Sequence, residues 1–221
     1  MALPADLQRQ LDLALDAVRR DPAHALTLGH RQAIWSSLGP RLDPVTPDTA
    51  ANATGYRRRL KLAILAARHV LPLWQPWPPR YAIEQYDQTM ADPRELVQLA
   101  ENVLADPAEI GGARYRFSRS WSAATDLFDA EDPQTGSAAL SAVKTLKTAI
   151  EDEEFDPATP DYALTDFDRD PWSQDASYFA AVASANGSLL DTQSDPARRL
   201  EFWEWWLTQA VPAAWAAVPE R

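Results

Sequence analysis

Ten carboxylates crowd into one stretch of the chain: Glu151, Asp152, Glu153, Glu154, Asp156, Asp161, Asp166, Asp168, Asp170 and Asp175, with Arg169 the one basic residue among them. Such a run has three chemical uses: to ligate a cation, to supply an acid/base pair, or to attract a basic partner. The whole chain of 221 residues carries a formal charge of −11, and its distribution matters more than its size. Residues 1–150 hold 17 basic and 17 acidic side chains, a net of 0; residues 151–175 hold 1 and 10, a net of −9; residues 176–221 hold 3 and 5, a net of −2. The imbalance therefore lies almost wholly in 25 residues.

Cation ligation is the weakest of the three uses. Asp166-Phe167-Asp168-Arg169-Asp170 opens like a calcium loop, but Pro171 stands where the turn requires glycine and Ser177 where the bidentate glutamate belongs. The histidines, His24, His30 and His69, stand in no metal-ligand spacing, and Asp21-x-x-His24 lacks the second copy that a helical di-metal site needs. With no cysteine there is no thiol nucleophile, sulfur metal site or disulfide, as suits a reducing cytosol. Seven glycines in no GxGxxG or GxxxxGK[ST] pattern make phosphate-cradling loops unexpected, and no GxSxG elbow marks a serine nucleophile. No cofactor and no metal are expected.

Acid/base catalysis by a carboxylate pair stays open, because the spacing of such pairs exists only in three dimensions. For the third use, Phe155, Tyr162, Phe167 and Trp172 are interleaved with the acids. A loop serving solubility alone has no use for aromatics, whereas a docking face uses them as buried anchors while the acids speed association. The candidate partner-binding set is accordingly Glu151, Asp152, Glu153, Glu154, Asp156, Tyr162, Asp166, Phe167, Asp168, Asp170, Trp172 and Asp175. Arg57-Arg58-Arg59-x-Lys61 is the basic counterpart, but on a helix these four diverge, and a strongly negative chain disfavours nucleic acid. They are expected to pair with neighbouring acids, and Arg114, Arg116 and Arg119 are further internal candidates for the acidic loop.

The elements that must position these residues are helical. Apolar residues recur at helical spacing over 4–20, 28–38, 56–70, 93–104, 137–154, 173–185 and 195–218, and more ambiguously over 113–129 after a break at Gly111-Gly112. The middle of 56–70 is apolar on all sides, which marks a helix enclosed by others. Ser137 reads as one N-cap, Asn186-Gly187 as a C-terminal stop, and Trp205 as the outward tryptophan of the last helix. Residues 71–81 carry four prolines, with Trp74 and Trp77 as anchors of a loop, and 155–172 reads as an extended acidic loop. The expected fold is all-α: a single-domain (1–221) bundle-like array of about seven helices with Pro/Trp-rich loops. The N-terminus shows no secretory signal, and no apolar run reaches the ~20 residues of a membrane span.

Three blocks, Arg59–Trp74 with its Arg-His-Val-Leu-Pro-Leu-Trp end, Tyr178–Gly187, and Arg198–Pro212 with Glu201-Phe202-Trp203-Glu204-Trp205-Trp206, resemble the Imm5-like immunity proteins of bacterial polymorphic toxin systems. Gln75 stands where that pattern has an acid. The resemblance implies a mostly helical cytoplasmic protein, encoded beside a toxin gene, that binds and neutralises the cognate toxin without catalysis. Such toxins are often basic nucleases, which would suit an acidic docking face, so the expected partner is a basic toxin protein, with no nucleic acid and no membrane. Two other classes remain: a helical enzyme using carboxylates on a small cationic or sugar-like substrate, and a dimer-forming scaffold using Trp205 and the 72–81 loop.

Overall fold

Several of the chain's prolines start helices. Asp92-Pro93, Asp132-Pro133 and Asp195-Pro196 each place an aspartate at the N-cap and a proline in the first turn. In each case the carboxylate accepts backbone N–H groups of that turn while proline supplies a preset φ and no orphan donor. The computed structural model describes residues 2–75, 92–128 (backbone alone for 121–128), 132–155, 161–168 and 174–219. Among the described residues the regular elements are all helical.

In chain order these are α1 (Ala5–Arg20), α2 (Leu28–Ser37), α3 (Pro47–Asn52), α4 (Thr54–Val70), α5 (Pro93–Ala105), α6 (Ile110–Phe128), α7 (Pro133–Glu151), α8 (Ala176–Ser184), α9 (Pro196–Trp205) and α10 (Val211–Ala217). A π turn, Trp206–Ala210, joins the last two. The single helix expected over 195–218 is interrupted there because Pro212 has no N–H for the 208 carbonyl and its ring crowds that turn. None of these helices is long and apolar enough to cross a membrane.

The most enclosed helix is α7. It packs against α4, α5, α6 and α8, and is buried on nearly every side because Gly136, Ser137, Ala138, Ala139, Ser141, Ala142 and Ala149 let neighbouring backbones approach. Two of its buried hydroxyls are satisfied by carbonyls: Ser141 Oγ donates to Ala176 at 2.8 Å and Thr145 Oγ1 to Ser141 at 2.8 Å. One apolar cluster joins α1, α2 and α8 to α10 with Leu62, Ala66 and Val70 of α4; the other joins α3 to α7 with Tyr178, Phe179 and Val182 of α8. Helices α4 and α8 therefore face both.

Three expectations are corrected. Helix α6 runs straight through Gly111-Gly112, because burying Ile110 and Ala113 (1% and 0% exposed) offsets about 1 kcal/mol of glycine cost per residue. The N-cap of α7 is Asp132, and Ser137 is buried in the helix interior. Trp205 is half-buried, its ring stacked on His69 at 3.9 Å between centroids. The stop at Asn186-Gly187 is as read: Asn186 (φ 54°) and Gly187 (φ 150°) turn the chain, and the Gly187 N–H donates to Val182 at 3.0 Å.

Candidate functional site

The acidic stretch is divided between the interior and the surface. Helix α7 ends at Glu151 because Asp152 takes a positive φ of 59°, which turns its carboxylate under the fold. There Arg59 of α4 donates from Nε to Oδ1 at 2.8 Å and from Nη2 to Oδ2 at 2.7 Å, and the Leu42 N–H reaches Oδ2 at 2.8 Å. Both side chains are fully enclosed. The remaining donors of Arg59 serve the carbonyls of Trp35, Gly39 and Pro40 at 2.7 to 3.0 Å, so this buried cation is saturated. Phe155, also buried, lies under the guanidinium at 4.9 Å.

A second buried arginine, Arg31 of α2, holds the far part of the stretch. Its Nε donates to Asp175 Oδ2 at 2.9 Å, its Nη1 to Asp166 Oδ2 at 3.2 Å, and its Nη2 also pairs with Asp166. Asp175 simultaneously caps α8, accepting from Ser177 and Tyr178. Burial works against the Arg31 charge, yet the two carboxylates keep it more firmly protonated than usual. Burial also lifts Asp166 above the ordinary carboxylate range, against the pull of Arg31 and with the Asp175 carboxylate adding to the rise.

Between these anchors, residues 161–168 lie along α1 and α2. The Gly29 N–H donates to Leu164 at 3.0 Å, Thr27 Oγ1 to the Tyr162 carbonyl at 3.0 Å, and the Tyr162 hydroxyl to Gln10 Oε1 at 2.9 Å. The Tyr162 ring rests against His30, centroids 4.8 Å apart. Gly29 is required: a Cβ there would stand 1.8 Å from the Asp161 carbonyl oxygen. A 3₁₀ turn, Asp166–Asp168, then places Phe167 in solvent at 52% exposure. Asp168 accepts from the Thr165 N–H and hydroxyl, both at 2.8 Å, which hold its carboxyl below the usual range.

Of the expected docking residues, Asp152, Asp166 and Asp175 are thus withdrawn into ion pairs, because the fold needs partners for its buried arginines. Glu151, Glu154, Tyr162, Phe167 and Asp168 are at the surface, joined by Asp161. Glu153 lines a polar cavity of about 20 Å³ with Lys144, Lys147, Thr148, Gln174 and Asp175, room for a single water. Asp156, Asp170 and Trp172 lie outside the described residues, as does Trp77 of the Pro/Trp loop. Asp166 points inward and Asp168 outward, so the two do not converge as calcium ligands. Among the described residues no cluster of His, Cys, Asp and Glu forms a metal-binding group.

The internal partners of the acids were only partly foreseen. Arg59 pairs as expected of the basic run, whereas Arg58 lies over Trp215 at 3.3 Å and donates from Nε to the Val218 carbonyl. Arg114 serves the Val45 carbonyl and Arg119 the Tyr115 hydroxyl instead of the acidic loop. Arg31 was missed. Its signal is an arginine flanked on its helix by Leu28, Ala33, Ile34 and Trp35, where a cation is enclosed and must find acids.

Fold and site together define an all-α protein that carries an acidic surface segment braced from within. Residues 11–213 match the family model described as Immunity protein Imm5, and the chain belongs to that family of immunity proteins. The match spans all three sequence blocks that carry the resemblance. No curated protein matches the sequence.

Proposed function

We propose that this protein acts in the cytoplasm as a non-catalytic inhibitor of a cognate toxin of a polymorphic toxin system, covering part of the toxin with the exposed face of residues 151–168. The observation that carries the reading is the family match over residues 11–213. The division of the acidic stretch supports the choice of face. The acidic side chains that stay exposed, Glu151, Glu154, Asp161 and Asp168, share the stretch with exposed Tyr162 and Phe167, a combination suited to a basic partner.

The decisive experiment is co-expression with the C-terminal toxin domain encoded by the adjacent gene. Cells carrying both are expected to grow, cells carrying the toxin alone to arrest, and the pair to co-elute in gel filtration. Protection without a complex would favour an enzymatic mode of immunity, and arrest in the presence of a folded, expressed inhibitor would overturn the reading.

A further inference from the structure

Five large apolar side chains are exposed among the described residues: Leu13, Tyr115, Tyr162, Phe167 and Leu190. Two of the five belong to the eight-residue segment 161–168. Single exposed apolar residues are ordinary, so the significance of Phe167 lies in what holds it there. Tyr162 has a hydroxyl that finds Gln10; Phe167, half in water, has no polar group to gain from its position.

The segment is fixed at considerable expense. Arg31 and its partners Asp166 and Asp175 bring three charges out of water. Desolvation opposes such a cluster, so its net stabilisation is small, while its forked geometry fixes where Asp166 and Asp175 sit. The Gly29 N–H on the Leu164 carbonyl and the Thr27 hydroxyl on the Tyr162 carbonyl complete the bracing. The result is a turn whose first residue, Asp166, is locked inside and whose last, Asp168, is tied to Thr165, with Phe167 displayed between them. A turn already in its bound shape binds without the entropy loss of ordering a loop.

We propose that Phe167 is the anchor of the docking face, entering an apolar socket on the toxin whose rim of lysine and arginine meets Asp161 and Asp168, and that Arg31 is the residue that positions it. The partner chemistry follows from charge: Asp161 and Asp168, exposed at the two ends of the segment, are acidic, and a cationic rim is their complement. This rests on the immunity reading above.

Binding kinetics with the adjacent-gene toxin domain test the two separately. Wild type is expected to bind. Phe167→Ala is expected to weaken binding about 30-fold or more, chiefly through faster dissociation, while Phe167→Leu retains most of the affinity. Arg31→Lys, which cannot reproduce the forked pairing, is expected to raise amide hydrogen exchange in 161–168 and slow association with Phe167 still present. No binding by wild type overturns the immunity reading and this proposal with it. Wild-type binding that Phe167→Ala leaves unchanged overturns the anchor alone, and unchanged exchange in Arg31→Lys overturns the positioning role. Self-association without toxin that Phe167→Ala abolishes assigns the socket to a second copy and overturns the toxin assignment.

Discussion

Glu153 is the side chain whose protonation state is hardest to infer from its neighbours in sequence. Its burial, with the Asp175 and Asp152 carboxylates nearby, pushes the carboxyl up to about 7, while the Thr148 hydroxyl, donating at 2.7 Å, and Lys147 oppose the rise. In the unfolded chain a glutamate ionises near pH ~4.3. Between that value and about 7 the folded state therefore retains a proton that the unfolded state has lost. The stabilisation is complete below the unfolded pKa and disappears as pH rises through the folded one, a swing on the order of 1–3 kcal/mol. Glu153→Gln removes the titration, so its melting temperature should exceed that of wild type by a margin that widens from pH 5 to pH 8 and then levels. A margin constant with pH in thermal unfolding would sink this account. The charged residues were legible at this scale, and their pairing was not. Arg59 and Asp152 are 93 positions apart, Arg31 and Asp166 135, and a linear pattern of charges holds no record of which acid a buried guanidinium closes on.

At the scale of elements, the segment 161–168 and helix α2 depend on each other through one missing Cβ. Gly29→Ala would drive a methyl into the Asp161 carbonyl and the Tyr162 backbone, within 1.8 to 2.8 Å, with backbone on both sides and no flexible side chain to yield. Overpacking of this kind costs about 1–3 kcal/mol. Here it should appear as a lower urea midpoint and as faster hydrogen exchange confined to 161–168; unaltered exchange there would show that the strap is not seated on Gly29. The helices themselves were readable, since the apolar spacing of α1, α2, α4 and α5 and the Asn186-Gly187 stop fall where periodicity puts them. Boundaries failed where a tertiary cause decided them. The start of α7 is the exception, set locally at Asp132-Pro133 by the same Asp-Pro device that opens α5 and α9. Its end, at Glu151 and not 154, is set by the demand of Arg59 for Asp152, and the glycine pair of α6 is overridden by burial of Ile110 and Ala113.

For the molecule as a whole, the net charge of −11 is a statement about approach. The interior consumes Asp152, Asp166 and Asp175 in pairs with Arg59 and Arg31, so the field on this side is set by the acids that stay exposed. The exposed Glu151, Glu154, Asp161 and Asp168 contribute to this field, which on the proposed reading draws a cationic partner toward this side before any contact forms. Steering of this kind acts on the association rate and falls with ionic strength, because charges in water are screened beyond about 8 Å at physiological salt. Reversing Glu151, Glu154, Asp161 and Asp168 to lysine should therefore cut the association rate with the toxin domain by about 10-fold or more at low salt, flatten its salt dependence, and leave dissociation nearly unchanged. Stopped-flow mixing across 20 to 500 mM salt measures all three at once. An association rate that ignores both the reversal and the salt would mean that the acidic face is not the one the toxin meets. A change confined to dissociation would instead place these carboxylates within the contact, where each was desolvated with its own cationic partner.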